Sequence, residues 1–357
     1  MKYAQILLAI TAISACAASG AVVEQPAPAT DAALTCEARR SAVVQWHAAE
    51  PTDAVEHDRW CRAVGGPLFV NTLVPKTRAN ELELPALEEF VTLSWNAHLA
   101  EGQLPDLIAE LKAGAFTDGR PVKHFALLVQ ELYRRGDHVP PFDSANRSAF
   151  AITARDPESP DVEDHAAALG LSLLYVPSMR NGAELREDRG NAIISTEPLQ
   201  HAMAIELPLA RQRRVAIGAS VNVRTAAGIQ RLALINAHLE PLSAPPTLWV
   251  FKNPRGRQVR AILDLLDTPR FTSNEVAGVV LGGDFNTVLR GDKEDGYRHA
   301  RAWSSSLRQE DRRRTHMMGR LDYLFFRLTD GWTASTRRLD RKFGSDHHPV
   351  IGRFTRE

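Results

Sequence analysis

Apolar residues in this chain fall into short continuous runs, separated by stretches with helical spacing, and several of the runs end on a polar group. Phe90–Asn96 is a β-rich run ending in an amide, and His124–Glu131 has a buried-strand pattern ending in a carboxylate. Ala192–Ser195, Arg214–Val223 and Leu232–Asn236 predict further strands, the last closing on His238. Val276–Leu281 runs straight into Gly282-Gly283-Asp284, and Leu321–Arg327 and Val350–Phe354 are the last strands. Leu104–Lys112 and Arg257–Leu266 have helical patterning. Strands alternating with helices predict an α/β fold. Asn96, Glu131, His238, Asp284 and Asp346 each lie at or just past the end of an apolar run, where a rigid sheet can place a site.

The beginning of the chain has a different pattern. Residues 1–15 carry one early lysine and a short apolar run, which predicts a signal peptide for export. Ile13-Ser14-Ala15-Cys16 is similar to a bacterial lipobox, so Cys16 is expected to be lipidated and to anchor the protein on the periplasmic side of a membrane. Residues 16–35 then form a flexible, Ala-, Pro- and Thr-rich tether. Residues 36–89 are expected to form a helical extension, with helix-like stretches around Ala38–Ala49 and Ala54–Val64. Cys36 and Cys61 are its candidate disulfide in an oxidising compartment. Residues 90–357 remain for one large catalytic domain.

The chain balances 43 basic against 43 acidic residues, and loss of residues 1–15 removes only Lys2. A tight binder of duplex nucleic acid is usually more basic, so this weighs mildly against one. The basic groups Arg211–Arg214, Lys252–Arg260 and Arg312–Arg314 read as solvated faces. Segments 134–165 and 240–256 are long and Pro-rich, as substrate-contacting loops tend to be. Trp249 and Phe251, followed by Arg255, Arg257 and Arg260, suit either base stacking or a lipid interface.

In Gly344-Ser345-Asp346-His347, a hard anionic oxygen sits beside an imidazole able to carry a proton. Asp284 and Asn286, two apart on an extended segment, project from one face. Together they point to metal-assisted attack on a phosphate ester, where a cation relieves the repulsion between nucleophile and phosphate. Glu131, Asp346 and the amide oxygen of Asn96 are ligand types that suit Mg²⁺, with Mn²⁺ a second choice. The chain has no zinc spacing of Cys and His, no Walker lysine and no Gly-x-Ser-x-Gly elbow.

Six segments, in order, resemble the motifs of the endonuclease/exonuclease/phosphatase superfamily. They are Ser94-Trp95-Asn96, Val129-Gln130-Glu131, Asn236-Ala237-His238, Gly283-Asp284-Phe285-Asn286, Leu321-Asp322-Tyr323 and Ser345-Asp346-His347. The resemblance implies a four-layer α/β sandwich of two packed sheets, like that of deoxyribonuclease I, with the site at one rim. It implies Glu131 as principal metal ligand with Asn96 and Asp346 nearby. Asp284 and Asn286 would position water and phosphate, His347 would be oriented by Asp322, and His238 would serve the leaving oxygen. His238, in place of a tyrosine, turns the reading away from abasic-site repair. Tyr175-Val176-Pro177-Ser178 precedes Asp188-Arg189-Gly190-Asn191 and is given no catalytic role; the latter segment reads as a turn into a strand or a flank of the substrate. His348 reads as structural.

The expectation is thus an exported, Mg²⁺-dependent phosphodiesterase of nuclease type. Its enzymatic alternatives are a phospholipid or sphingomyelin phosphodiesterase and an inositol-phosphate phosphatase. A catalytically inactive binding lipoprotein is the alternative of another class. No protein partner is implied, and a monomer is expected.

Overall fold

The computed structural model describes residues 22–24, 43–48, 59–71, 84–142, 159–182, 185–241, 254–288 and 290–357. Two mixed β-sheets pack together and are flanked by helices, which is an α/β sandwich. The nine-stranded sheet runs, in spatial order, β1 (Val22–Glu24), β3 (Leu68–Asn71), β6 (Ser172–Arg180), β7 (Glu187–Ser195), β5 (His124–Arg135), β4 (Phe90–Asn96), β15 (Val350–Arg356), β14 (Trp332–Arg338) and β12 (Leu307–Gln309). The six-stranded sheet runs β13 (Asp322–Leu328), β11 (Val276–Asp284), β10 (Gly228–His238), β9 (Val215–Thr225), β8 (Gln200–Glu206) and β2 (Gln45–Ala48).

Alternation along β5 shows how the layers form. Ala126 and Leu128 enter the apolar cluster that also holds Leu234, Val280 and Leu324 of the six-stranded sheet. Phe125, Leu127 and Val129 enter a second cluster with Leu107, Ile108 and Leu111 of the helix Leu104–Lys112. Helix Pro254–Leu266 places Val259, Ile262 and Leu266 in the first cluster. Asn236 crosses between the sheets: its Nδ2 donates to the carbonyls of Val129 (2.9 Å) and Ala192 (2.8 Å). A buried amide with both donors satisfied fixes the register of one sheet on the other.

The strands expected from Phe90 onward form, with several longer than their apolar cores. Upstream the pattern differs. Gln45–Ala48, within the stretch expected to be helical, forms a strand paired in parallel with β8 at the sheet edge. A four-residue edge strand is decided by its partner, which overrides a helix-like pattern. Arg59–Arg62 is helical, as expected, and Val22–Glu24, within the stretch read as a tether, pairs with β3. Cys61 is disulfide-bonded; Cys36, its expected partner, lies outside the described residues. The signal peptide, Cys16, Trp249 and Phe251 also lie outside them. No helix among the described residues is long and apolar enough to cross a membrane.

Candidate active site

Strand register builds the floor of the site. In the parallel pair β10–β11, His238 lies opposite Asp284; in the antiparallel pair β11–β13, Asp284 lies opposite Asp322. Three chemistry-bearing side chains therefore stand in a row across three strand ends. Gly283 permits this approach. Its φ is +144°, and a Cβ there would lie 1.8 Å from the carbonyl oxygen of Ala237, its cross-strand partner.

Asp284 is the centre. Its Oδ1 accepts the Asn286 backbone N–H (2.8 Å), while Oδ2 accepts from Asn96 Nδ2 (3.0 Å). His238 Nε2 lies 3.6 Å and His347 Nε2 4.0 Å from the same Oδ2. Burial, then the adjacent Asp322 carboxylate, push Asp284 up to about 7. Asn286, at φ 51°, donates from Nδ2 to the Leu239 carbonyl at 3.0 Å.

His347 and Asp322 form a buried dyad, with Nδ1 2.8 Å from Oδ2. Burial alone would lower His347; the Asp322 carboxylate overrides it and lifts the imidazole to about 10. His347 is therefore an imidazolium at neutral pH, with its Nε2 proton towards Asp284 and Asp346. The loop carrying it is tied to β4 by Ser345 Oγ donating to the Asn96 carbonyl (2.7 Å) and Trp95 Nε1 donating to the His347 carbonyl (3.3 Å).

Glu131 sits in an irregularity of β5, where the pairing with β7 shifts between Val129 and Leu132, and its φ is 60°. Such a bulge re-aims one side chain out of the strand's alternation. Oε1 faces Asn96 Nδ2 (3.5 Å) and His238 Nε2 (3.9 Å); Oε2 accepts the Leu99 N–H (3.1 Å) and faces Arg189 (3.8 Å). Burial alone would raise its pKa, but the Arg189 charge above all, with Arg214 and His347, holds it at about 2. His238 is lowered well below the usual histidine range by burial, then by Arg214, and is neutral.

The structure thus brings Asn96, Glu131, His238, Asp284, Asn286, Asp322 and His347 to one rim. Asp346 joins them through histidines that carried no role in the sequence reading. Its Oδ1 lies 3.1 Å from His98 Nδ1 and its Oδ2 3.0 Å from His316 Nε2. The Met318 N–H donates to His316 Nδ1 (3.1 Å), so His316 presents Nε2–H to the carboxylate, and its ring lies 4.7 Å from that of His347, tilted by 32°. His98 adjoins the Asn96 motif, but its partner is 248 positions away and no local spacing reveals it. His348 binds the Leu339 carbonyl, as expected of a structural residue.

Three further expectations change. Within Arg211–Arg214, read as a solvated face, Arg213 and Arg214 are buried; Arg213 forms a two-point pair with Glu206 (2.8 and 2.7 Å). Within Lys252–Arg260, Arg255 is buried beside Glu294, because its helix packs inward on that side. Arg312–Arg314 are exposed. Asp188 is no turn residue: it accepts from Arg134 (2.6 Å), Gly65 N–H (2.8 Å) and Tyr175 hydroxyl (2.9 Å) inside β7, so Tyr175 serves this buried hub.

No family model and no curated protein matches the chain. Among solved structures it is similar to an endonuclease/exonuclease/phosphatase family protein from Leptotrichia buccalis C-1013-b, 16% identical, covering 75% of this chain and 99% of that one, at a TM-score of 0.47. It is similar to the human Nocturnin catalytic domain, solved with a bound sulfate anion: 17% identical, 77% and 97% covered, TM-score 0.47. A mannosyl-6-phosphatase from Bacteroides thetaiotaomicron VPI-5482 is 12% identical, with 74% and 99% covered and a TM-score of 0.41.

Proposed function

We propose that the protein is a metal-dependent phosphoester hydrolase of the endonuclease/exonuclease/phosphatase superfamily, with phosphodiester cleavage of nuclease type as its activity. The observation that carries this is the convergence of Asn96, His238 and His347, from three distant segments, within 4.0 Å of one carboxylate oxygen, Asp284 Oδ2.

The donor set suits a divalent cation of the Mg²⁺ or Mn²⁺ kind. Glu131 is held ionised, Asp346 Oδ1 accepts no aligned hydrogen bond, and carboxylate oxygens cluster beside His347. Glu131, Asn96 and Asp346 would hold it. When bound, such a cation draws negative charge from a phosphate oxygen.

The chain's own groups supply the rest. Asp284, with a pKa near neutrality, takes a proton from the attacking water, and the Asn286 N–H keeps the carboxylate turned towards it. His347 presents a fixed positive charge to the phosphoryl oxygens, and Asp322 holds its orientation. Neutral His238, between Glu131 and Asp284, would hydrogen-bond the leaving oxygen.

The test is hydrolysis of bis(p-nitrophenyl) phosphate, plasmid DNA, RNA, sphingomyelin and phosphoinositides with Mg²⁺ or Mn²⁺. EDTA-sensitive turnover lost in Glu131→Ala and His347→Ala supports the proposal. Inertness on every substrate refutes it. Export and lipid anchoring at Cys16 belong to the same proposal and rest on the N-terminal sequence; a Cys16→Ser variant whose intact mass shows no loss of a lipid removes the anchor.

A further inference from the structure

Among the described residues, the buried Arg134, Arg213, Arg255 and Arg320 each face a carboxylate, whereas Arg180 is held by backbone carbonyls. Arg134 meets Asp188 at 2.6 Å, and Arg213 meets both oxygens of Glu206. Arg214, buried beside the site, and Arg189, half-buried there, are arranged differently. Arg189 Nη1 lies 3.8 Å from Glu131 Oε2, beyond hydrogen-bond reach, and among the described residues Nη2 donates only to the Met179 sulfur at 2.7 Å. Arg214 is 5% exposed; Nη2 donates to the Gln212 amide oxygen at 2.8 Å, and among the described residues the buried Nε, like that of Arg134, has no partner.

The fold brings the two together. Arg189 and Asn191 leave β7 on the same face, and Asn191 Nδ2 donates across to the other sheet, to the carbonyl of Val215 (2.7 Å). Arg214 immediately precedes Val215. Arg214 is lowered by burial first; the Glu240 carboxylate opposes this, and the Arg189 charge adds to it. A buried cation held without a full set of acceptors costs stability, and an arriving anion removes that cost.

Position decides which anion. Glu131 Oε1 faces Asn96 and His238, on the side of Asp284 where cleavage is placed; Oε2 faces Arg189. The arginine lies beyond the carboxylate from the reacting centre. A planar guanidinium matches two phosphate oxygens at once. We infer that Arg189 and Arg214 form an anion subsite for a second phosphoryl group of the substrate, next to the one being cleaved. This rests on the phosphoester-hydrolase reading above, and it narrows the substrate class to esters bearing two nearby phosphates.

A matched pair tests it: the p-nitrophenyl ester of thymidine 5′-phosphate, with and without a 3′-phosphate. The wild type prefers the doubly phosphorylated ester. Arg189→Gln lowers kcat/KM for that ester about tenfold more than for the other, and Arg189→Lys recovers part of the preference. An equal loss on both esters, or no preference in the wild type, overturns the subsite. A second readout needs no turnover. Calorimetric titration of the EDTA-treated full chain with pyrophosphate should show binding weakened about tenfold in Arg189→Gln and in Arg214→Gln. Absence of wild-type binding, or unchanged binding in a folded Arg189→Gln, overturns it. If neither ester is hydrolysed but pyrophosphate binding is lost in the variants, the hydrolase reading fails and the anion site stands.

Discussion

His347 Nδ1 lies 2.8 Å from Asp322 Oδ2 in a pocket where both side chains are almost wholly buried. The carboxylate keeps the imidazole charged against its own burial and aims Nε2 at Asp284 and Asp346. Asp322→Asn preserves the shape but removes the charge, and an amide can instead hold the ring in a neutral tautomer. We expect kcat to fall by about 10²–10⁴ with KM changed far less, as for loss of a carboxylate that orients a catalytic histidine. Steady-state kinetics on any hydrolysed ester checks this; a change confined to KM would contradict the assigned role.

The backbone at Gly283 has its own consequence. A methyl group there meets the Ala237 carbonyl, at a φ that L-residues rarely adopt. Gly283→Ala should cost about 3 kcal/mol. It should also lower activity, because β10 and β11 must part where His238 lies opposite Asp284. Denaturant unfolding and turnover measure the two effects, and a fully stable variant would show that the close approach is not required.

Much of this site was legible because Asn96, Glu131, His238 and Asp284 close apolar runs and Asp322 opens one, and a sheet carries such ends to its rims. Asp284, His238 and Asp322 need only strand register to meet. What stayed hidden depends on partners that no local pattern reveals. His316 reaches Asp346 from a tight turn closed between His316 and Gly319. Arg213 and Arg214 sit in a run that reads as surface, yet Glu206 and the site draw them inside. Gln45–Ala48 takes its conformation from β8. Charge runs are ambiguous for a physical reason: a cation is as readily satisfied by a buried carboxylate as by water, and sequence shows only the cation.

Burial separates two arginine pairs of similar length. Arg134–Asp188 (2.6 Å) is almost fully buried, whereas Arg186–Asp137 (2.8 Å) is exposed. Arg134→Met should cost about 3–5 kcal/mol, since Asp188 keeps its charge and loses its counter-ion. Arg186→Ala should cost less than about 1 kcal/mol. Equal costs in urea unfolding would contradict the buried hub.

Acid should weaken a different contact. Burial opposes ionisation of Asp311, but the Arg313 side chain and the backbone N–H groups of Arg313 and Arg338 together outweigh it and hold the carboxyl at about 2. A depressed carboxylate contributes stability above its unfolded pKa of about 3.9 and loses it as pH falls through the folded value. Asp311→Asn should therefore melt below the wild type at pH 7, with the gap narrowing below pH 4. A gap constant from pH 7 to pH 3 would show that the shift is absent.

Glu131 combines a low pKa with a strained position in β5, and the combination fits a carboxylate kept ionised for a cation. A bulged, positive-φ glutamate costs about 1–3 kcal/mol that a surface role would not require. Glu131→Gln keeps the volume and the Leu99 contact but halves the ligand's capacity and removes its charge. It should weaken Mn²⁺ binding by at least about tenfold, the scale of losing one charged ligand. Arg189 then loses the carboxylate that faces it, so stability should stay near the wild-type value or fall below it. Calorimetric titration with Mn²⁺ and an EDTA-reversed melting shift measure both. Unchanged metal affinity in a folded Glu131→Gln would move the cation to another set of oxygens, with Asp284, Asp322 and Asp346 the next to replace.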